Sequence, residues 1–123
     1  MNTAIWIVQI LLAFVFGMVG IGKLTQPREK LQEKMKWVED FSARTLKGIG
    51  ALELLAAIGL VLPALTGILP TLTPLAAAGL ILTMIGAMIT HIRRREMGML
   101  IPNIILLLMG TFVVYGRLIV VPL

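Results

Sequence analysis

Four apolar blocks decide what this chain can become. Residues 3–22, 48–62, 74–92 and 102–121 are dominated by Leu, Ile, Val, Ala, Met and Gly, and charged or turn-forming stretches separate them. A helix needs about 20 such residues to cross the hydrocarbon of a bilayer. The composition agrees: 59% of the 123 residues are hydrophobic and 14% charged, against roughly 45–50% and about 25% in soluble domains. The expectation is an all-α protein, a transmembrane four-helix bundle forming a single membrane domain over residues 1–123.

The first block carries no charge, and the basic residues follow it rather than precede it. A signal peptide has the opposite order, so a retained spanning helix is expected. Gly17, Gly20 and Gly22 near its end would let another helix approach closely. Composition then switches. Residues 23–47 hold Lys23, Arg28, Lys30, Lys34, Lys36, Arg44 and Lys47 beside Glu29, Glu33, Glu39 and Asp40. Pro27 suits a first helical position, and Leu31, Met35, Val38, Phe41 and Thr45 fall on one helical face. Over 27–47 the pattern predicts an amphipathic interfacial helix between the first two spans, apolar side down; a solvated helical loop is the alternative.

Pro63, Gly67, Pro70 and Pro74 predict a kinked end to the second span and a turn after it. Thr73 then reads as the N-cap of the third span, with Pro74 at its first position. Gly79, Thr83 and Ala87 recur every four residues, a stripe suited to tight helix contact. Tyr115 and Arg117 read as interface anchors of the fourth span.

Seven of the 11 basic residues lie between the first and second blocks, three between the third and fourth, and one near the C-terminus. The positive-inside rule puts connections 23–47 and 93–101 in the cytoplasm and both termini outside, in a multi-pass membrane protein. Arg93, Arg94 and Arg95 are a topology signal first, with anionic lipid headgroups as a second role. Basic residues that flank membrane spans give no reason to expect nucleic acid.

One acid interrupts the second span. Glu53 lies about 9 Å along a helix from Lys47, and an ionised carboxylate in hydrocarbon must be paired, protonated or turned inward. Lys23, His91 and Asn103 sit at the same end of the other three spans. Two readings stay open: a small binding site with Glu53 as anchor, or an ion pair or hydrogen bond from Glu53 to Lys23 or Asn103 that locks helices together. His91 also fits an interfacial residue, and Asn103 after Pro102 fits a helix-start cap. Gln9 and Arg117 near the opposite end suggest an interhelical hydrogen bond. With no Cys and a single His, neither a thiolate site nor a His-rich metal site is expected.

Four stretches taken together, FGMVGIGKL (Phe16–Leu24), GALELLAAIGLVLPALTGILP (Gly50–Pro70), LAAAGLILTMIGAMITHIRRRE (Leu75–Glu96) and IPNIILLLMGTFVVYGR (Ile101–Arg117), resemble the DoxX-like family of small bacterial four-helix membrane proteins. On that pattern Lys23, Glu53, Pro63, His91, Asn103 and Arg117 look like family landmarks. The resemblance implies an integral membrane protein, and in some relatives a subunit of a membrane redox complex, which brings in quinone as a ligand. Nothing in the residues supports thiosulfate chemistry. Three functions follow as expectations: a non-catalytic subunit or scaffold of a membrane redox or envelope complex, holding quinone or lipid near Glu53, with a membrane protein or a second copy as partner; a small-solute or proton carrier using Glu53; and a subunit of a quinone-linked oxidoreductase. With one isolated carboxylate and one His, a self-sufficient catalyst is not expected.

Overall fold

The computed structural model describes all of Met1–Leu123. It is all-helical. Four stretches are long and apolar enough to cross a membrane: Asn2–Thr25 (α1), Ala43–Thr66 (α3), Leu72–Arg93 (α4) and Met97–Val120. The last comprises a short 3-10 turn, Met97–Met99, then α5, Leu100–Tyr115, and a π-helical turn, Gly116–Val120. Between α1 and α3 lie α2, Arg28–Lys34, and a 3-10 segment, Lys36–Asp40. α1 packs on α3, α3 on α4 and α4 on α5, and α5 closes back on α1. The seams meet in a core that includes Leu12, Phe16, Leu60, Leu80, Met84 and Val113.

α3 starts before its apolar block because Ser42 caps it: the Ser42 hydroxyl accepts the Thr45 amide at 3.1 Å. It also runs past Pro63, where the local rule predicted a kinked end, and stops at Thr66 with Gly67 left-handed at φ 75°. The reason lies on other helices. Proline cannot donate to the carbonyl four residues back, that of Gly59. The Thr73 hydroxyl donates to it instead, at 2.9 Å. The neighbouring Leu60 carbonyl takes the Gln9 side-chain amide at 2.5 Å. Thr73 is therefore no N-cap. α4 begins at Leu72 behind Thr71, and the buried Thr73 staples α4 to α3.

The stripe Gly79–Thr83–Ala87 does not mediate tight helix contact. A Cβ on Gly79 would meet nothing within 4 Å, and Thr83 and Ala87 line a cavity. α3 and α4 approach closely near their connection, where a Cβ on Gly59 would lie 3.0 Å from Ala76.

The amphipathic helix expected over 27–47 is not one helix. The backbone turns extended at Met35 (φ −131°, ψ 97°) and at Phe41 (φ −125°, ψ 146°), on either side of Lys36–Asp40. These breaks fold the segment onto itself. Leu31, Val38 and Leu46 form a small core of their own, flanked by Met35, Trp37 and Phe41. Arg28 holds the turn by donating to the carbonyls of Phe41 (2.8 Å) and Glu39 (2.9 Å). Burying these side chains together outweighs the hydrogen bonds a continuous helix would add.

Candidate functional site

The site begins with two glycines. A Cβ on Gly20 of α1 would lie 2.7 Å from the Gly50 carbonyl oxygen, and one on Gly50 of α3 would lie 2.7 Å from the Lys23 Cβ. Glycine at both positions lets the backbones touch. The Lys23 stem crosses the space left open at Gly50 and reaches Glu53, almost one turn further along α3. The ammonium donates to the Glu53 carboxylate at 2.7 Å, with the two side chains 6% and 3% exposed. Lys23 also lies 5.1 Å from the centroid of Trp37, a cation–π distance. Glu53 thus pairs with Lys23 and not with Asn103.

Trp37 is the keystone contributed by the insert. Its ring meets Phe41 edge-on at 5.5 Å and His91 at 6.4 Å. The His91 Nδ1 pairs with the Glu96 carboxylate at 2.9 Å. Asn103 donates from its amide to the Met99 carbonyl at 2.9 Å; it bonds a carbonyl rather than capping free amides. Lys23, Glu53, His91 and Asn103 all line one cavity of about 420 Å³. Its other walls are mostly apolar, with Val15, Val19, Leu52 and Leu106 among them, and Phe16 and Met84 join it to the bundle core. Four polar atoms of the lining residues have no hydrogen bond within the protein: Trp37 Nε1, Glu53 Oε2, His91 Nε2 and Asn103 Oδ1.

The Arg triplet divides. Arg93 and Arg95 are exposed. Arg94 instead clamps the insert to the α4–α5 connection, reaching Glu39 at 2.7 Å, Asp40 at 2.9 Å and Glu96 at 3.2 Å. The hydrogen bonds that Arg94 donates to Glu39 and Asp40 raise its pKa above the ordinary value. The His91 hydrogen bond, and then Arg94, hold the Glu96 carboxyl below its ordinary range. Neither the clamp nor Trp37 was among the residues expected at the site. The acidic pair Glu39–Asp40 facing an Arg triplet on the same side of the membrane was the available signal, but the fold-back that joins them leaves no local mark.

The sequence profile of the DoxX-like family matches residues 7–113. The chain belongs to the DoxX-like family. The matched stretch takes in Lys23, Glu53, His91 and Asn103. Neither a curated protein nor a solved structure matches the chain.

The opposite end of this DoxX-like protein is built differently. Arg117, expected either as an interface anchor or in an interhelical hydrogen bond with Gln9, is 2% exposed. The π-helical turn carries it inward, and Gly116 packs so tightly on Ile5 that a Cβ there would lie 2.6 Å from the Ile5 Cδ1. Arg117 donates to Gln9 Oε1 at 2.5 Å and to Asn2 Oδ1 at 2.8 Å, and its guanidinium lies 5.4 Å from the centroid of Trp6. Gln9 passes the connection on to the Leu60 carbonyl. The interhelical hydrogen bond expected of Gln9 and Arg117 is thus a chain linking α1, α3 and the terminal turn.

Proposed function

We propose that this DoxX-like protein is a non-catalytic membrane subunit that holds a lipid-soluble ligand with a polar head, of the quinone kind, against Glu53, Lys23, His91 and Asn103. The observation that carries this reading is that four polar atoms without a partner in the protein, Trp37 Nε1, Glu53 Oε2, His91 Nε2 and Asn103 Oδ1, belong to residues lining one mainly apolar cavity. Its 420 Å³ falls within the ordinary range for small-molecule sites. A quinol hydroxyl can donate to Glu53 or Asn103, and a quinone carbonyl can accept from Lys23. The membrane is the ligand's source: α3 and α4 touch at Gly59 and Ala76, whereas Gly86, which lines the cavity, has no neighbour within 4 Å of an added Cβ. Leu52, on the same wall, is 67% exposed. The gap between these helices is the ligand's route from the bilayer.

On this reading the basic end faces the cytoplasm. The exposed Lys30, Lys34 and Lys36 of the insert are then the docking face for a partner of a membrane redox or envelope complex. A carrier is less well supported, because the bundle core at Leu12, Leu60 and Val113 is fully buried and fills the space beyond the cavity. Trp6→Phe leaves Trp37 as the one remaining Trp of two, so its fluorescence reports on the cavity. Titration with a short-chain benzoquinone in detergent should give saturable quenching, weakened about tenfold by Glu53→Gln through loss of a charge-assisted hydrogen bond. Linear, non-saturating quenching that is equal in both proteins would refute the reading.

A further inference from the structure

A second cavity, of about 320 Å³, shares only Lys23 with the first. It lies where α1 ends and where α2 and α3 begin. Its lining contains three cations, Lys23, Arg28 and Lys47, and no acid. Lys23 is neutralised by Glu53. The other two take part in none of the protein's ion pairs. Arg28 is fixed in place, since its Nε and Nη2 donate to the carbonyls of Phe41 and Glu39. Carbonyls hold a guanidinium without cancelling its charge, and Nη1 stays free. Lys47 is exposed, and its side chain makes no hydrogen bond within the protein. Leu31, Leu46, Pro27 and Ala43 supply an apolar wall.

A fixed guanidinium beside an unpaired ammonium, with no competing carboxylate, suits a phosphate group: Arg supplies directed donors and Lys a point charge. Its place at the ends of two apolar helices long enough to span a membrane favours a lipid as its bearer, since the last turn of α1 and the first turn of α3 line it. Ile21, one turn further into α1 than Thr25, is 47% exposed and offers an acyl chain an apolar contact beside the cavity. Arg93 and Arg95, the earlier candidates for this role, line neither cavity.

We propose that this second cavity binds the phosphate of an anionic membrane lipid, gripped by Arg28 and closed over by Lys47, independently of the ligand beside Glu53. The test is native mass spectrometry of the whole protein from micelles containing equal phosphatidylglycerol and phosphatidylcholine. Wild type should retain phosphatidylglycerol preferentially. Lys47→Gln should lower that preference roughly fivefold, the worth of one basic group near an anionic headgroup, and Arg28→Gln/Lys47→Gln should abolish it. Arg28→Lys keeps the charge and guards against a folding defect in Arg28→Gln, with circular dichroism as the check on each variant. Arg93→Gln/Arg95→Gln should change nothing. The proposal falls if the preference survives in Lys47→Gln, or if Arg93→Gln/Arg95→Gln lowers it equally. Displacement of the retained lipid by millimolar inorganic phosphate would also overturn it, by assigning the site to a soluble anion.

Discussion

Each end of the bundle buries a cation, and the two are treated in opposite ways. Lys23 meets a carboxylate, lies under an aromatic ring and borders a cavity. Arg117 meets only neutral oxygens and the face of Trp6, and its Nη2 is shut away from solvent without a partner. All six acidic residues lie in the insert, at Glu53 or at Glu96, so the Arg117 end has no anion to offer. The contrast separates two uses of a buried charge. At one end an ion pair lines a cavity, and one carboxylate oxygen keeps its lone pairs free of any partner in the protein. At the other, a single guanidinium is spent on tying three helices together around the break at Pro63.

Four measurements would break or sharpen this contrast. The largest effect belongs to the ion pair. Glu53→Leu leaves Lys23 buried without its counter-charge and should cost about 3–5 kcal/mol in unfolding experiments in detergent. Lys23→Met/Glu53→Leu removes both charges and should recover most of that. Arg117→Met should cost less, about 1–2 kcal/mol, since it strands a neutral Gln9 oxygen rather than a charge. Equal losses for Glu53→Leu and Arg117→Met would erase the distinction. Gly50→Ala forces α1 and α3 apart and should cost about 1–3 kcal/mol. Gly79→Ala meets open space and should be neutral or gain up to about 1 kcal/mol from helix propensity. The smallest effect is on the clamp. Glu96 is held below its ordinary pKa, so its contribution is complete above the unfolded carboxyl value of 4.5 and disappears as the pH falls through the lower folded value. Proteolysis of the insert at Lys34 or Lys36 should therefore quicken below pH 4.5, and Glu96→Gln should show the faster rate already at neutral pH.

The spans were legible because a bilayer demands long apolar runs, and nothing else in the chain competes with that signal. So was the polar end: the rise of a helix sets Glu53 at the depth of Lys23, His91 and Asn103 once the basic connections are put on one side. Three features were hidden. The breaks at Met35 and Phe41 carry neither Gly nor Pro; only the joint burial of Leu31, Val38 and Leu46 makes them favourable. Pro63 reads as an end because its local effect is visible, whereas the donors that repair it, Thr73 and Gln9, come from other helices. Arg117 reads as an anchor because long cations near helix ends ordinarily reach for water, and a widened turn that draws one inward has no sequence mark. Pairwise meetings between distant segments, such as Trp37 with Lys23 or Arg94 with Glu39, lie beyond what spacing can reveal.

The open end is the centre of this account, and its most direct test is to ask what fills the cavity. Ala87→Trp would plug the cavity from α4 while sparing Lys23, Glu53, His91 and Asn103. Purified wild type and Ala87→Trp, washed equally in detergent, can be extracted with organic solvent and the extracts compared by mass spectrometry. A polar-headed, lipid-soluble molecule should be found near one per protein in wild type and strongly depleted in Ala87→Trp. Identical extracts from the two proteins, with no such molecule enriched over the bulk lipid, would contradict it.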